Sequence, residues 1–191
     1  MISELGTYKL LLHGIDTVQC AYYLTPPASK HLDFRALAVI KEQLRMNKSR
    51  EPRAVKLGDT EFFIHPYGSS SGFPFVLSNE DFKIELGEFN SPSCFVTYRS
   101  QALWRQSAAT LHAKFVTWAT SVGCEMQQPE SLSRVDFCFD YSLAELDLDA
   151  DSFVSLSDKD SQHRENGTVQ TFTLGKGDVV LRVYDKIAEI R

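Results

Sequence analysis

The residues best suited to chemistry lie near the end of the chain, where a tyrosine stands among charged side chains. The apolar run at residues 179–183 predicts a strand that carries Tyr184 into this cluster. A phenol with its ordinary pKa of about 10 is a weak nucleophile, but cations or a metal stabilise the phenolate and a target phosphate together. The pattern is compatible with attack on a phosphodiester, but the residues alone favour an ordinary strand end with a half-buried tyrosine. The surrounding charges are Arg182, Asp185, Lys186, Glu189 and Arg191.

A second group of ionisable side chains lies on a predicted strand, residues 133–141, where polar and apolar residues alternate. We expect the sheet to bury the apolar face and to expose the polar one, which holds Asp136 and Asp140. These carboxylates indicate either a metal ion or ion pairs with arginines. Because residues four apart on a strand are separated by roughly 13 Å, both cannot bind one Mg²⁺ or Mn²⁺ ion. We choose Asp136 as the ligand, with Glu85 and Glu189 as further candidates.

The elements that would position these residues begin with two strands, residues 8–12 and 18–24, around a predicted turn. Ser29 is expected to cap a helix that runs to about Asn47. Gly58-Asp59 predicts a hairpin turn. Short strands are predicted at residues 54–57, 60–65, 82–86 and 93–99.

The clearest helical pattern covers residues 101–122, where apolar side chains recur every three or four residues from Trp104 to Val122. We predict one continuous helix with a buried stripe, ended by Gly123. An acidic loop, with a helical turn around Phe153, is expected after the strand at residues 133–141.

The end of the chain predicts a hairpin of residues 168–174 and 179–184. For His163, which lies just before it with Arg164 and Glu165, a polar loop is favoured over a position that faces a substrate. Arg182, Tyr184 and Lys186 share one face if the last strand continues that far.

The order of these elements predicts an α+β fold, with one curved antiparallel sheet and two main helices on one face. We expect a single domain over residues 1–191. The charged, helix-like segment after Glu189 predicts that the chain stops short of a longer protein's end.

Composition narrows the class of protein. Hydrophobic residues make up 43% of the chain, which indicates a folded domain. We expect no membrane span, no export signal, and four free cysteines in the cytoplasm. The net charge of −5 argues against a nucleic-acid partner. However, six basic residues lie within residues 41–56. This basic run indicates either a solvated helix face or a binding surface. The sequence contains no paired-histidine metal motif, Walker loop or Gly-x-Ser-x-Gly elbow.

Three segments resemble the Rep_trans family of rolling-circle replication initiators from plasmids and filamentous phages, with related relaxases of integrative conjugative elements. They are Ser-Arg-Val-Asp-Phe-Cys-Phe-Asp at residues 133–140, Thr-Phe-Thr-Leu-Gly-Lys-Gly at residues 171–177, and Leu-Arg-Val-Tyr-Asp-Lys-Ile-Ala-Glu at residues 181–189. The similarity is specific in the last third of the chain and vague before it.

The resemblance implies a DNA strand transferase related to HUH nucleases that does not need their histidine pair. Tyr184 matches the tyrosine that attacks an origin phosphodiester, leaving a 5′-phosphotyrosyl link and a free 3′-OH. Asp136 matches the acid of an Arg-x-Asp motif implicated in binding Mg²⁺ or Mn²⁺, and Glu189 matches a recurrent glutamate. Lys186 or Arg182 would offset charge on the transition state.

The implied partner is DNA, single-stranded or extruded as an origin hairpin. The family's initiators act as dimers, so the resemblance extends the expectation of a homodimer, and of a helicase partner, to this chain. Two other readings stay open: a non-catalytic origin DNA-binding module, and an interaction protein without DNA, which the net negative charge favours.

Overall fold

The structure, a computed structural model, describes residues 8–25, 31–143, 156–165 and 167–187. The chain divides into two compact units. The core unit comprises Leu12–Phe139, and the terminal unit comprises Met1–Leu11 with Asp140–Arg191. The prediction of a single domain stays a prediction.

The described residues form ten strands and three helices, which confirms the α+β class. The helices are α1 (Phe34–Met46), α2 (Ser100–Arg105) and α3 (Ala108–Ser121). The strands are β1 (Tyr8–Tyr22), β2 (Arg53–Leu57), β3 (Thr60–Ile64), β4 (Phe75–Ser78), β5 (Phe82–Leu86), β6 (Cys94–Tyr98), β7 (Ser131–Leu143), β8 (Asp160–Glu165), β9 (Thr168–Leu174) and β10 (Leu181–Tyr184).

Seven strands form one sheet in the order β2-β3-β4-β5-β6-β1-β7, and three form another in the order β10-β9-β8. The pairs β2–β3, β3–β4, β4–β5, β5–β6, β6–β1, β8–β9 and β9–β10 are antiparallel, as predicted. The hairpin turn at Gly58-Asp59 joins β2 to β3 and is confirmed.

The two longer helices cover the same face of the seven-stranded sheet, as predicted. Phe34 of α1 contacts Phe75 of β4, whose partner on β5 is Leu86. Phe115 of α3 contacts Phe82, which lies on the same face of β5 as Leu86. The buried core lies between these helices and the sheet.

The predicted long helix is wrong, because the chain breaks between α2 and α3. Gln106 has extended backbone angles, and the Ser107 side chain accepts a hydrogen bond from the Thr110 N–H as the N-cap of α3. A capping side chain accepts hydrogen bonds from backbone N–H groups at the start of a helix, so a new helix can begin at Ser107 instead of α2 continuing. Apolar periodicity ran across the break, since Trp104 happens to keep the spacing of the α3 stripe.

The turn predicted at residues 13–16 is also wrong, because β1 is one continuous strand. A Cβ on Gly14 would lie 2.5 Å from the Cη2 of Trp104. This glycine therefore makes room for an indole ring that lies directly on the strand, rather than a reversal of the chain.

Two strands, β4 and β8, were not predicted.

For α1 the apolar face was predicted correctly, with Leu37 buried and Phe34, Ile40 and Leu44 packed against the core. Its N-cap is Asp33, which accepts from the N–H groups of Arg35 and Ala36, whereas Ser29 lies outside the described residues. The helical turn predicted around Phe153 also lies outside them.

All four cysteines are free thiols, as expected, and three of them, Cys20, Cys94 and Cys124, are buried. Burial raises the pKa of the Cys124 thiol to about 11. In the described part of the chain, no helix is both long enough and apolar enough to cross a bilayer.

Candidate active site

The predicted nucleophile lies on the three-stranded sheet of the terminal unit, in which β9 is the central strand. Tyr184 on β10 lies opposite Thr171 on β9, and Thr171 lies opposite His163 on β8. Side chains of directly opposed residues project from the same face of an antiparallel sheet. These three residues therefore form one row across the sheet.

A parallel row lies two residues along each strand, on the same face. Arg182 lies opposite Thr173, and Thr173 lies opposite Ser161. This face, here called the tyrosine face, places two hydroxyls at its centre, a phenol and a guanidinium at one side, and an imidazole at the other. Its six residues are Tyr184, Thr171, His163, Arg182, Thr173 and Ser161.

Burial of the opposite face explains why these polar residues point outward. Val183 lies opposite Phe172, which is buried. Because strand side chains alternate, burying Phe172 and Val183 turns Tyr184 and Arg182 to the other side. Tyr184 is 38% exposed, so a large substrate has access to its phenol.

His163 is not in a loop, as the sequence predicted, but in β8. The residues around His163 are polar, and a polar segment without alternating apolar residues predicts a loop. A solvent-exposed strand can have the same composition, so the sequence did not distinguish the two. The β8–β9 register shifts by one residue directly after the His163–Thr171 pair, with Gln170 as the extra residue on β9. The sequence offered a position facing a substrate only as the less favoured reading of His163; the strand pairing is what places it in the row of Tyr184.

Lys186 does not share the strand face of Tyr184, because β10 ends at the tyrosine. Lys186 instead starts a short helical turn, and its ammonium donates to the carboxylate of Asp140 at 2.5 Å. The backbone N–H of Asp185 donates to the carbonyl of Gln170, and this bond fixes the chain just past the tyrosine. Asp140, set aside in the sequence analysis, is thus the acid that lies beside this segment.

Asp136 lies in the core unit and is paired with an arginine of its own strand. The guanidinium of Arg134 donates to both carboxylate oxygens of Asp136, from Nε at 2.7 Å and from Nη2 at 2.5 Å. Of the two explanations for acids on this strand, the structure therefore shows the ion pair. The hydrogen bond to Asp136 raises the pKa of Arg134.

Glu85, the second candidate ligand, is only 5% exposed and accepts a hydrogen bond from Lys83 at 2.8 Å. It lies on the face of β5 opposite to Phe82, away from the helices.

The side chain of Asp136 points to the other face. Trp104 lies on Gly14 at the helix side of β1, so His13 faces away from the helices. His13 stacks on Phe139 of β7, which places Phe139 on that same open side and Asp136 on the helix side. Glu85 and Asp136 also lie three strands apart, roughly 14 Å. The structure therefore does not bring Glu85 and Asp136 together.

Across residues 8–25, 31–143, 156–165 and 167–187, no group of three or more His, Cys, Asp or Glu side chains is arranged to hold a metal ion. Glu189 lies outside these ranges. The candidate carboxylates within them are paired with cations, so they do not form the oxygen-rich set that Mg²⁺ binds. These pairs are Asp136 with Arg134, Asp140 with Lys186, and Glu85 with Lys83.

The apolar face of β7 is exposed, which contradicts the expectation that the sheet buries it. Phe137 is 66% exposed and Phe139 is 60% exposed. The physical reason is topological: β7 is the last strand of its sheet, and the two longer helices cover the other face. Exposed aromatic rings on a strand are typical of surfaces that stack on unpaired bases.

The basic run at residues 41–56 is partly engaged within the fold. The Lys41 ammonium donates to the Pro74 carbonyl and lies 5.6 Å from the centroid of the Phe75 ring. Arg45 pairs with Glu42, and Arg53 donates to Gln43. These contacts favour the solvated helix face over a dedicated phosphate-binding surface.

Comparison with known proteins found no matching family model, no matching curated protein and no matching solved structure. The resemblance to the Rep_trans family therefore rests on the three sequence segments alone and stays a prediction. The class that the structure itself defines is an α+β protein with antiparallel sheets and an exposed tyrosine beside an arginine.

Proposed function

We propose that this chain is a DNA strand transferase of the Rep_trans type, which nicks one strand at an origin to start rolling-circle replication or conjugative transfer. The observation that carries the proposal is the position of Tyr184, exposed next to Arg182 on the tyrosine face. A nucleophile and a phosphate-binding cation on one open surface suit a substrate as large as DNA.

In the proposed reaction the Oη atom of Tyr184 attacks the phosphorus of one phosphodiester. A bond from phosphorus to the phenol oxygen forms while the bond to the 3′ oxygen breaks. The products are a 5′-phosphotyrosyl link and a free 3′-OH. Because one phosphodiester replaces another, the reverse step rejoins the strand without ATP.

Arg182 is the proposed phosphate ligand, since it lies on the same face as Tyr184. A planar guanidinium binds two phosphate oxygens at once and remains charged at every working pH. Removing one such charge-stabilising group from a transition state costs about 10²- to 10³-fold in rate. Lys186, held by Asp140, is proposed to keep the segment after the tyrosine in place and to add positive charge beside it.

The finer fold is proposed to be HUH-nuclease-like. Its support is the antiparallel sheet of the core unit with α1 and α3 on one face and the aromatic rings of β7 on the other. The cytoplasm is the proposed compartment, because four free thiols suit a reducing environment. A homodimer and a helicase partner stay predictions of the resemblance.

A second candidate function is supported by Phe137 and Phe139, which would stack on bases without any chemistry. In that case the chain is a single-stranded DNA-binding module whose tyrosine does not react. The two candidates differ in one observable, a covalent bond between protein and DNA.

The test uses labelled single-stranded oligonucleotides tiled across the chain's own genetic element, incubated with Mg²⁺, Mn²⁺ or a chelator. On a denaturing gel, the strand transferase gives a slower band that survives boiling in detergent and disappears after protease treatment. The Tyr184→Phe variant should bind the same oligonucleotide and give no such band. Binding without any adduct, in all three conditions, would support the DNA-binding module instead.

A further inference from the structure

The row that contains Tyr184 also contains a histidine that the proposed reaction has not used. His163, Thr171 and Tyr184 occupy directly opposed positions on β8, β9 and β10. They lie on three successive strands, and the pairing of these strands brings them to one face. His163 is exposed, as expected for a side chain on the open side of the sheet.

The spacing of this row suits one phosphate bound between its two ends. Two interstrand steps separate the backbones of His163 and Tyr184 by roughly 10 Å. Thr171 between them has a short side chain, over which the longer imidazole and phenol can lean towards each other. The β8–β9 register shifts directly after the His163–Thr171 pair, and the extra residue, Gln170, lies on β9 next to Thr171. Such irregularities are common next to functional sites.

The chemistry of the tyrosine face leaves His163 as the suitable proton acceptor among its six residues. A guanidinium is not a base at any working pH, so Arg182 is not a candidate for accepting the phenol proton. The hydroxyls of Thr171, Thr173 and Ser161 hold their own protons and are weak bases. Imidazole is the side chain most often used as a general base, because it takes up and releases a proton near neutral pH.

We propose that His163 is a further catalytic residue of this site, which accepts the phenol proton as Tyr184 attacks. This inference rests on the strand transfer proposed above. The proton of the Tyr184 phenol passes to a ring nitrogen of His163 while the phenol oxygen bonds to phosphorus. The 3′ oxygen leaves with the electron pair of the broken P–O bond and takes a proton from water. The hydroxide so formed removes the extra proton from His163, so protons and charges balance.

The first test measures the single-turnover rate of adduct formation, with the oligonucleotide that the wild-type chain cleaves. His163→Ala should slow this rate by about 10²- to 10⁴-fold while binding stays the same. Added imidazole should restore part of the rate, which loss of a structural contact would not allow. The matched control is Gln162→Ala on the same strand, because Gln162 faces the buried side opposite Phe172; it should react at the wild-type rate in a chain that stays folded by circular dichroism.

A second substrate distinguishes a histidine that accepts the proton of Tyr184 from one that donates a proton to the leaving 3′ oxygen. In a DNA with sulfur in place of the bridging 3′ oxygen, the leaving thiolate needs no proton. His163→Ala should remain slow on this substrate if His163 serves the tyrosine. A return to the wild-type rate would mean that the histidine protonates the leaving group, which overturns the inference as stated.

Failure of the inference differs from failure of the proposed function. If the wild-type chain forms a Tyr184-dependent adduct and His163→Ala forms it equally fast, the proposed role of His163 is contradicted and the proposed function is not. If the wild-type chain forms no adduct with any tiled oligonucleotide, both proposals fall.

Discussion

Lys186 forms an ion pair with Asp140, a residue 46 positions earlier in the chain. This contact lies in the terminal unit and joins the segment after Tyr184 to the second half of β7. The resemblance assigned Lys186 a direct role at the phosphate. Its ion pair with Asp140 gives it a second role, since it fixes the chain immediately after the nucleophile.

The ion pair should matter more for activity than for stability. Asp140→Asn should lower the free energy of unfolding by no more than about 1 kcal/mol, because both side chains keep contact with solvent. The rate of adduct formation should fall further than this, because the turn after Tyr184 loses its tether. A double-mutant cycle with Lys186→Met measures the coupling; rates that multiply independently would show that the pair does not act as a unit.

The hairpin that carries Tyr184 should depend on one glycine more than on its neighbour. Gly175 has a φ of 94°, and a Cβ there would lie 2.5 Å from the carbonyl oxygen of Val179. Gly177 has a similar φ of 91° but meets no atom within 4 Å. Gly175→Ala should therefore cost about 1–3 kcal/mol more than Gly177→Ala in urea unfolding. Equal losses would contradict the close approach.

Much of the fold followed from local patterns, and the failures have physical causes. Strands β5 and β9 begin and end where alternation and turn residues placed them. Gly14 was misread as a turn residue, because a sequence does not show that an indole ring lies on the strand. The break at Ser107 was missed because a helix cap and a solvent-facing serine look alike within an amphipathic pattern.

The exposed rings of β7 should contribute to binding of single-stranded DNA. Phe137→Ala and Phe139→Ala should each weaken binding of an oligothymidine by about 1–3 kcal/mol, as expected for the loss of one stacked base. Thermal stability should change little, because the rings are not part of the core. Phe89→Ala, which removes a ring that is 91% exposed between β5 and β6, is the control and should bind normally. Fluorescence anisotropy measures the three affinities; equal weakening in all three variants would argue against a specific surface.

Stability of the core unit should depend on pH through Glu85. Burial alone would raise the pKa of this carboxyl, but the hydrogen bond and the charge of Lys83, together with hydrogen bonding from Ser69 and Ser71, outweigh it and leave the pKa below its ordinary value. A depressed pKa means that the stabilisation is present above the carboxyl's ordinary pKa, about 4.3, and is lost as the pH falls through the lower folded value.

Lys83→Met should therefore cost about 1–3 kcal/mol at pH 7, where it leaves a buried carboxylate without its cation. The difference from the wild type should shrink as the pH falls through the lowered folded pKa, because Glu85 then becomes neutral in both proteins. Urea unfolding at pH 7, 5 and 3 measures the difference in the free energy of unfolding between Lys83→Met and the wild type. The control is Lys56→Met, at an exposed position of β2. A difference that stays constant with pH would assign the loss to packing of the lysine stem.

The candidate site was only partly predictable. Tyr184 and Arg182 were identified from residue type and spacing, because two residues that lie two positions apart on one strand can be assigned to the same face from the sequence alone. For His163 the sequence favoured a polar loop over a position that faces a substrate, since its place in the row of Tyr184 depends on the register of two strand pairs. The pairing of Asp140 with Lys186 likewise joins residues that no local pattern connects.

The most direct test of the central claim is to identify the protein atom that becomes attached to DNA. The adduct is digested with nuclease and protease, and the peptides are sequenced by mass spectrometry. We predict that the nucleotide mass lies on the phenol of Tyr184, bound through a 5′ phosphate. A nucleotide on another residue, or a cleaved strand with no attached peptide, would contradict the account.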